Sequence, residues 1–362
     1  MTENYYALIL AGGGGTRLWP LSRRDRPKQL LQLIDERSMF QVSVDRLAPL
    51  FPPERIYIVT GSAYVEPMRE QTPHIPAENF IVEPAGRDSA PAAALGAAII
   101  HQRDPQAVIA QLAVDHHIGK PQTFLDLLTA AGHMAGRGYI VTLGIAPSYP
   151  ATGFGYIRQG EPIAVANGFT CYHTRGFTEK PDEATAQAFI ASGQYSWNSG
   201  MFIWTAARAM EEFQHQQPAM YDLLTRIQAS VDTPRFNDQL RELWPQMPKI
   251  SLDYAVMENA KQMAVIPADV EWNDVGSWEA LFEVHPADES GNLSRGAGDD
   301  ERVLVDTCNT LAYSDRMVVT IGVEDLIIVD TDDVLLVCHR ARSQDVREIV
   351  NRLRDTGRDE YL

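Results

Sequence analysis

Short apolar runs alternate with helix-favouring stretches through the first two-thirds of the chain, and this alternation limits the fold more than any other feature. The runs are β-branched or apolar and mostly end at glycine, proline or aspartate; they span residues 6–10, 56–60, 80–82, 108–112 and 139–143. The alanine-rich residues 90–100 are typical of a helix between two such runs. Strands separated by helices predict βαβ units and an α/β fold with a mostly parallel sheet, in which ligands bind at the carboxyl ends of the strands.

The pattern changes towards the C-terminus. A helical interpretation dominates residues 187–260, and the polar, acidic residues 287–300 are the best linker candidate. Beyond them, short apolar runs separated by turn residues lie at residues 302–306, 310–313, 317–321, 326–329 and 334–337, before a last predicted helix over 344–353. Such strands predict a small β-rich unit of the barrel or β-helix type, with packing or oligomerisation as its default role. We therefore expect two domains, residues 1–287 and residues 288–362.

The chain is strongly acidic. Its 362 residues include 31 Lys and Arg against 48 Asp and Glu, which gives a net charge of −17. This surface repels phosphate backbones and anionic headgroups, so we expect neither nucleic acid nor a membrane as a partner. A small phosphorylated substrate stays compatible with this charge, because a few local cations and backbone N–H groups can bind one.

The cysteines and the N-terminus indicate a cytoplasmic protein. Cys171, Cys308 and Cys338 are widely spaced and odd in number, which argues against a disulfide framework and a C-x-x-C metal motif. The N-terminus lacks the basic region of a signal peptide. No stretch approaches the ~20 apolar residues of a membrane span.

Four consecutive glycines, Gly12, Gly13, Gly14 and Gly15, follow the first predicted strand directly. Glycine permits positive φ angles and close backbone approach, so such a loop can surround a polyphosphate with N–H groups. The basic residues that follow are Arg17, Arg23, Arg24, Arg26 and Lys28. A flexible turn beside a solvated basic patch is the alternative, but the preceding strand and the basic cluster favour a phosphate-binding loop. No G-K-[ST] follows, so this is no Walker A loop, and the third glycine of the dinucleotide fingerprint is missing.

At this point the sequence resembles a known family. The stretch LAGGGGTRLWPLSRRDRPKQL from Leu10 is similar to the signature of sugar-phosphate nucleotidyltransferases, in particular the mannose-1-phosphate guanylyltransferases. Further matches follow in that family's order: EPAGRDSAPA from Glu83, VDHHI from Val114, GFGYI from Gly153, FTEKP from Phe177, WNSGMF from Trp197, DVGSW from Asp274 and VTIGVEDLIIVDTDDVLLV from Val319. The resemblance spans nearly the whole chain. It implies a Rossmann-like nucleotidyltransferase domain followed by a small β-rich domain like a left-handed β-helix.

The resemblance also implies a nucleotide site and its metal. The implied nucleotide-binding residues are Leu10, Ala11, Gly12, Gly13, Gly14, Gly15, Thr16, Glu83, Arg87 and Ala90. Nucleotidyl transfer needs Mg²⁺ to neutralise triphosphate oxygens, and one or two carboxylates with the phosphates usually hold this ion. Asp115 follows a predicted strand and Asp274 precedes the Gly276 turn, and the family pattern matches both. A helix cap or a turn is the alternative role for either aspartate.

Three later motifs fit a sugar phosphate. Glu179 can accept hydrogen bonds from ring hydroxyls while Lys180 binds the phosphate. Asn198 can donate to hydroxyls and accept from them, and Gly153 and Gly155 permit close approach of the backbone to a hexose. A surface ion pair at a strand end is the alternative for Glu179 and Lys180.

Base choice depends on Glu83. Guanine presents two neighbouring donors, N1–H and N2–H₂, and an ionised carboxylate accepts from both, with backbone groups of Leu10 and Ala11 assisting. Adenine lacks this pair of donors and would leave a buried carboxylate unpaired. The alternative is that Glu83 ends a strand and caps the helix after Pro91.

Two departures from the family pattern affect the nucleotide contacts. The chain has LAVDH where the family usually has a proline before the metal aspartate. Asp88 stands where the family usually has an amide, and a carboxylate near a polyphosphate weakens binding unless Arg87 neutralises it.

The activity implied by the resemblance is transfer of GMP from GTP to α-D-mannose 1-phosphate, with Arg17, Lys28, Asp115 and Lys180 as the catalytic residues and Mg²⁺ as the cofactor. A homodimer through the C-terminal domain is implied as well. One alternative is a different nucleotide or hexose 1-phosphate, such as glucose 1-phosphate. Another is a catalytically silent regulatory homologue that binds nucleotide sugars.

Overall fold

The computed structural model describes residues 2–296 and 302–362. The chain forms two compact units. The first unit comprises Met1–Gly12, Val44–Val114 and Ile118–Trp272, and the second comprises Gly13–Ser43, Asp115–His117 and Asn273–Leu362. Each unit has a hydrophobic core of its own.

The strands and helices are numbered along the chain. The strands are β1 (Tyr5–Ala11), β2 (Ile56–Gly61), β3 (Phe80–Glu83), β4 (Val108–Ala113), β5 (His117–Ile118), β6 (Ile140–Ile145), β7 (Tyr156–Ala166), β8 (Phe169–Thr178), β9 (Tyr195–Thr205), β10 (Met263–Ala268), β11 (Trp272–Asn273), β12 (Leu293–Gly296), β13 (Arg302–Val305), β14 (Leu311–Ser314), β15 (Val318–Ile321), β16 (Leu326–Asp330) and β17 (Leu335–His339). The α-helices are α1 (Met39–Leu47), α2 (Val65–Gln71), α3 (Ser89–Arg103), α4 (Pro121–Ala135), α5 (Glu183–Ser192), α6 (Ala206–Gln216), α7 (Pro218–Gln228), α8 (Phe236–Leu243), α9 (Leu281–Val284) and α10 (Val346–Asp355).

The first unit is built on a nine-stranded sheet with the order β3-β2-β1-β4-β9-β6-β10-β8-β7. The pairs β1–β2, β2–β3, β1–β4 and β6–β10 are parallel, whereas β9 and β8 run antiparallel to their neighbours. The predicted α/β fold with a mostly parallel sheet is therefore confirmed. The chain moves from β1 to β2 on one side and to β4 on the other, which makes the carboxyl end of β1 the expected position for a ligand.

Helix α3 shows why the alanine-rich stretch is helical and buried. Alanine has the highest helix propensity, and residues 90–100 are all buried between the sheet and helices α6 and α7. At Gly96 the helix approaches β1 so closely that an added Cβ would lie 2.5 Å from the Leu8 methyl groups. Small side chains therefore set the distance between this helix and the strands.

The second unit contains the short C-terminal strands. Its four-stranded sheet has the order β12-β14-β16-β17, and β13 pairs with β15 in parallel. Between β12 and β16 the chain alternates between these two sheets, and β12, β14 and β16 are mutually parallel. This path is typical of a β-helix, as predicted. The predicted linker 287–300 contains β12 instead, because Leu293 is buried and pairs with Leu311; residues 297–300 lie outside the described part.

The predicted domain boundary at residue 287 stays a prediction. The compact units are discontinuous in sequence, so no single boundary divides the chain into these two units.

Among the helices of the described residues, none is long and apolar enough to cross a membrane.

Candidate active site

The glycine loop follows β1 and is open to solvent at Gly12, Gly13 and Gly14. Gly13 and Gly15 have φ angles of 92° and 58°, which L side chains rarely adopt. Gly15 also packs directly against the Lys28 side chain, where an added Cβ would overlap the Cβ of Lys28. The glycines are thus required both by the backbone conformation and by the position of Lys28.

Lys28 is the centre of a polar cluster in the second unit. The residue is only 6% exposed, and its Nζ donates to Asp115 Oδ2 at 2.7 Å and to the backbone oxygen of Asp274 at 2.6 Å. Burial alone raises the pKa of Asp115, but the Lys28 ammonium and the His116 ring outweigh burial and hold that pKa below its ordinary value. Asp115 is therefore an ionised carboxylate.

Asp274 and Arg17 lie beside this cluster. Asp274 Oδ1 accepts a hydrogen bond from the Gly276 N–H at 3.2 Å, so this oxygen has the turn role that the sequence left open. An added Cβ at Gly276 would lie 2.7 Å from Asp274 Oδ2 and 3.0 Å from an Arg17 nitrogen. Any side chain at position 276 would therefore collide with both groups. Another Arg17 nitrogen donates to Gln344 Oε1 at 2.8 Å. The structure therefore brings Arg17, Lys28, Asp115 and Asp274 close together within the second unit.

These carboxylates fit a magnesium ion with its phosphates. Within residues 2–296 and 302–362, no group of three or more His, Cys, Asp or Glu side chains could hold a metal by itself. Mg²⁺ usually takes only one or two protein carboxylates and completes its shell with phosphate oxygens and water. The Lys28 ammonium contacts the Asp115 carboxylate and the backbone oxygen of Asp274, and the absence of a side chain at Gly276 leaves space at Asp274 Oδ2. Two carboxylates in this surrounding match that requirement.

The remaining cations after the glycine loop differ in role. Arg23 forms an ion pair with Asp333 at 2.8 Å and lies over the Trp19 ring, and Arg24 pairs with Asp359 at 2.9 Å. Two of the five basic residues are therefore engaged in ion pairs within the second unit, and the pair of Arg24 is exposed to solvent. Thr16, the residue that begins the turn after Gly15, is half-buried.

Glu83 is the last residue of β3 in the first unit and is 8% exposed. Its Oε1 lies 3.7 Å from the position of a Cβ on Gly12, and its Oε2 is buried without a hydrogen-bond partner within the described residues. Burial raises the pKa of Glu83 to about 7. An unsatisfied buried carboxylate beside Gly12 requires an explanation, and a ligand with neighbouring donors supplies one.

The cap of α3 is Asp88, which excludes the capping role considered for Glu83. Asp88 accepts from the Ser89 N–H at 2.8 Å, so this departure from the family pattern has a local structural function. Arg87 donates to the Pro245 oxygen at 2.9 Å. Ala90 is fully buried and its N–H donates to the Ile250 oxygen, which argues against the predicted contact of Ala90 with a nucleotide. Leu10 and Ala11 are the last two residues of β1.

Glu179, Lys180 and Gly155 meet in the first unit, just beyond the end of β8. Lys180 Nζ donates to Glu179 Oε1, and the glutamate side chain is 5% exposed against 52% for the lysine. This is the ion pair considered as the alternative, but Glu179 Oε2 is buried and has no partner within the described residues. An added Cβ at Gly155 would lie 2.6 Å from that oxygen, whereas one at Gly153 would meet nothing within 4 Å.

Asn198 lies on β9 beside this pair, and its amide is nearly saturated. The Oδ1 atom accepts from Thr142 Oγ1 at 3.2 Å and from the Gly200 N–H at 3.1 Å, while Nδ2 donates to Asp253 Oδ1 at 2.9 Å. One amide N–H therefore remains for a ligand, so Asn198 can donate to a hydroxyl but has no free acceptor, contrary to the expectation that it does both.

Asp253 lies in none of the sequence motifs that predict the site. It begins a π-helical turn, Asp253–Met257, in a stretch interpreted only as helical. Its partner Asn198 is 55 residues away in sequence, so no local pattern connects them. The one available signal is the Asp itself, a carboxylate in an otherwise apolar stretch, LDYAVM.

Among the described residues, the first unit presents two buried carboxylate oxygens without a hydrogen-bond partner, Glu83 Oε2 and Glu179 Oε2. The second unit presents two cations, Arg17 and Lys28, with two carboxylates, Asp115 and Asp274. The first arrangement binds groups with several donors, such as bases and sugar hydroxyls. The second binds an anion together with a divalent cation. These are the binding properties that transfer of a nucleotidyl group requires.

Comparisons with known proteins agree with this chemistry. The family model described as Nucleotidyl transferase matches residues 6–291, and the one described as MannoseP isomerase/GMP-like beta-helix domain matches residues 300–353. A mannose-1-phosphate guanylyltransferase from Escherichia coli is 40% identical over 98% of this chain and 75% of its own length. The xanthan biosynthesis protein XanB from Xanthomonas campestris is 38% identical over 98% of this chain and 74% of its own length.

A solved structure from Thermus thermophilus, described as a mannose-1-phosphate geranyltransferase, is similar to the whole fold. It has a TM-score of 0.87 and 35% identity, and the match covers 97% of this chain and 99% of that one. The predicted resemblance is confirmed by these relatives, as is the β-helix type of the C-terminal strands by the second family model. The chain therefore belongs to the nucleotidyl transferase family of enzymes.

Proposed function

We propose that this chain is a mannose-1-phosphate guanylyltransferase, which transfers GMP from GTP to α-D-mannose 1-phosphate and releases pyrophosphate. The observation that carries the reaction type is Lys28, which is buried and donates both to the Asp115 carboxylate and to the backbone oxygen of Asp274. The choice of substrates is supported by the curated relatives of that name, which are 36–40% identical over nearly the whole chain.

Arg17 and Lys28 bind the triphosphate, with the backbone N–H groups of Gly12 to Gly15 and Thr16 around it. Asp115 and Asp274 hold Mg²⁺, which when bound neutralises charge on the phosphate oxygens. Lys28 keeps Asp115 ionised and so ready to hold a cation. Arg87 contributes a further positive charge close to the carboxyl end of β3.

Glu83 accepts from the guanine N1–H and N2–H₂ groups, and Leu10 and Ala11 assist through their backbone. This role is supported by the buried Oε2 atom that lacks a partner within the described residues. Binding two donors favours the ionised carboxylate and lowers the pKa of Glu83 again.

Glu179 accepts from hydroxyls of the sugar through Oε2, and Asn198 donates its remaining amide N–H. Gly153 leaves its backbone open to the hexose, while Gly155 provides the space that Glu179 occupies. Lys180, which is half-exposed beside Glu179, binds the phosphate of the sugar. Burial lowers the pKa of Lys180, but the hydrogen bond to Glu179 and its charge outweigh this and raise it above the ordinary value, so the ammonium stays charged.

The reaction needs no covalent intermediate on the protein. An oxygen of the sugar phosphate attacks the α-phosphorus of GTP in line, and the bond from that phosphorus to the β-phosphate oxygen breaks, with pyrophosphate as the leaving group. Catalysis then depends on positioning and on neutralisation of charge by Arg17, Lys28 and Lys180.

We further propose a cytoplasmic homodimer. All three cysteines are free, which is typical of a reducing compartment. On the paired strands β13 and β15, the side chains of Val303, Val305, Val319 and Ile321 are 43–69% exposed, and register places Val303 beside Val319 and Val305 beside Ile321. We name these four residues the valine face. An apolar face of this kind favours burial against a second copy of the chain.

Pyrophosphate exchange tests the function. Each of four NTPs is incubated with labelled pyrophosphate and either mannose 1-phosphate or glucose 1-phosphate, and incorporation of label into the NTP is measured. Exchange with GTP that depends on mannose 1-phosphate supports the proposal. Preference for another NTP or for glucose 1-phosphate would establish the first alternative, and a thermal shift with GTP and Mg²⁺ but no exchange would establish the silent homologue.

A further inference from the structure

Asp253 is placed against the proposed sugar-binding residues although no motif singles it out. Its Oδ1 accepts from Asn198 Nδ2 at 2.9 Å, and it is the first residue of the π-helical turn Asp253–Met257. π-Helical turns occur often at functional sites. The Asp253 side chain therefore lies where it can act on Asn198 directly.

The hydrogen bonds of Asn198 show what Asp253 does. Thr142 and Gly200 fix which end of the amide carries the oxygen, because both donate to Oδ1. Asp253 takes one of the two N–H bonds of Nδ2 and so sets the direction of the other. That remaining N–H is the only part of the Asn198 amide that the described residues leave for a sugar hydroxyl.

The charged groups around Asp253 also indicate that it belongs to the proposed sugar-binding site. Burial, followed by the charge of Glu179, raises the pKa of Asp253 to about 6, and Lys180 and the hydrogen bond from Asn198 oppose this only in part. From its own segment, the exposed Tyr254 and Glu258 also lie close, and Glu258 Oε1 accepts from the Glu179 N–H at 3.4 Å. The ionised form of Asp253 is therefore disfavoured in the folded protein, and carboxylates perturbed in this way cluster at functional sites.

We propose that Asp253 is the positioning residue of the sugar subsite, which fixes the free N–H of Asn198 and thereby selects the arrangement of hydroxyls on the hexose 1-phosphate. This inference rests on the proposed function. It assigns to Asp253 an effect on sugar binding and none on nucleotide binding. A carboxylate is needed because a charged acceptor orients an amide N–H more strongly than a neutral one.

The test compares Asp253→Asn and Asp253→Ala with the wild type. Asparagine can still present a neutral acceptor, whereas alanine cannot, so the KM for mannose 1-phosphate should rise about tenfold in Asp253→Asn and further in Asp253→Ala. The KM for GTP should stay within twofold. The preference for mannose 1-phosphate over glucose 1-phosphate should fall in the same order. Asp269→Asn is the matched control, because Asp269 is an exposed carboxylate of the same unit that pairs with Lys120.

The pH profile separates positioning from a merely structural role. In the wild type the KM for mannose 1-phosphate should rise below about pH 6, as Asp253 takes up a proton. The substrate phosphate also titrates near pH 6, but this contribution is common to all variants. The part of the rise that disappears in Asp253→Asn therefore belongs to Asp253.

The outcomes are distinct. Unchanged KM for mannose 1-phosphate in both variants, or an equal rise of both KM values, overturns the role of Asp253 while the proposed function stands. A wild type that neither binds nor uses mannose 1-phosphate overturns both. Thermal melting of Asp253→Asn shows that it is folded, and this variant decides the question if Asp253→Ala does not fold.

Discussion

Glu83 combines a cost in stability with a proposed role in recognition. Its pKa is raised by burial to about 7, above the 4.5 of an ordinary glutamate. Between these two values the folded state binds more protons than the unfolded state, so the free energy of unfolding falls as the pH rises through this window. Above about pH 7 the wild type has lost this contribution completely.

Replacing Glu83 by glutamine removes that loss. We expect Glu83→Gln to raise the free energy of unfolding at pH 8 by up to about 3 kcal/mol and to change it little at pH 4.5, as measured by urea unfolding at both values. The same variant should lose about 100-fold in preference for GTP over ATP, because glutamine can donate to adenine N1 and accept from its N6–H₂. A variant that is no more stable at pH 8, with unchanged base preference, would contradict both roles of Glu83.

Lys28 is the opposite case, a buried cation with two partners. Replacing it by methionine keeps the volume but removes the charge that binds the triphosphate, so we expect turnover to fall at least 100-fold. Circular dichroism should show a folded protein with a lower melting temperature, because Asp115 loses its partner. Arg24→Ala is the control, since Arg24 is an exposed cation of the same segment that pairs with Asp359. Near-normal formation of GDP-mannose by Lys28→Met would remove Lys28 from the proposed site.

At the scale of single residues, the sequence predicted those side chains that lie in recognisable motifs. Lys28, Asp115 and Asp274 are up to 246 residues apart, yet the resemblance placed them in one site, and the structure joins them through the Lys28 ammonium. Asp253 was not predictable in this way. Its role depends on a contact with Asn198 that only the folded chain creates.

Among the elements, the strands that end at turn residues were the easiest to predict. The runs at residues 6–10, 56–60, 80–82, 108–112 and 139–143 all fall on β1, β2, β3, β4 and β6. By contrast, β9 (Tyr195–Thr205) lies inside residues 187–260, where a helical interpretation dominated. It is a buried antiparallel strand between β4 and β6, and pairing on both sides outweighs the local pattern.

The start of β7 gives the prediction that belongs to this scale. Gly155 directly precedes β7, its oxygen accepts from the Asn198 N–H at 2.7 Å, and it leaves the space that Glu179 fills. We expect Gly155→Ala to displace the Glu179 carboxylate and to raise the KM for mannose 1-phosphate about tenfold, with little change in the KM for GTP. Initial-rate kinetics with each substrate varied in turn measure both values.

Gly176→Ala is the matched control on the neighbouring strand β8. An added Cβ there would come no closer than 4.0 Å to any neighbour, so this variant should behave as the wild type. An equal rise of the KM for mannose 1-phosphate in both variants would mean that alanine acts by weakening the β7–β8 pairing. The contact between Gly155 and Glu179 would then not explain the effect of Gly155→Ala.

For the molecule as a whole, the pattern of strands and helices and the order of the motifs predicted an α/β sheet followed by a β-rich unit. They could not predict that the two compact units are discontinuous in sequence. Gly13–Ser43 and Asp115–His117 share a compact unit with Asn273–Leu362, although they lie far from it in sequence. Gly13–Ser43 is linked to the C-terminal segment by Leu18 and Leu31, which share one core with Trp278, and Asp115 is linked through Lys28. The sequence shows that each of these three core residues is apolar and therefore a candidate for burial. The path of the whole chain decides which of the two cores each residue joins.

The oligomeric state of the whole molecule can be tested by substitutions in the valine face. Each strand of the pair β13–β15 alternates outward aliphatic side chains with more buried ones, so two lysines on one strand place charge on this face without entering the core. We expect Val319→Lys combined with Ile321→Lys to convert a dimer into a monomer by light scattering, because burying two ammonium groups against a second copy is unfavourable. Val165→Lys on β7, where the valine is 70% exposed, should leave the dimer intact.

A wild type that is monomeric at micromolar concentration would refute the dimer. A dimer that survives the double substitution would show that the interface lies on another face. Activity should be retained in both variants, because none of these side chains belongs to the proposed binding residues.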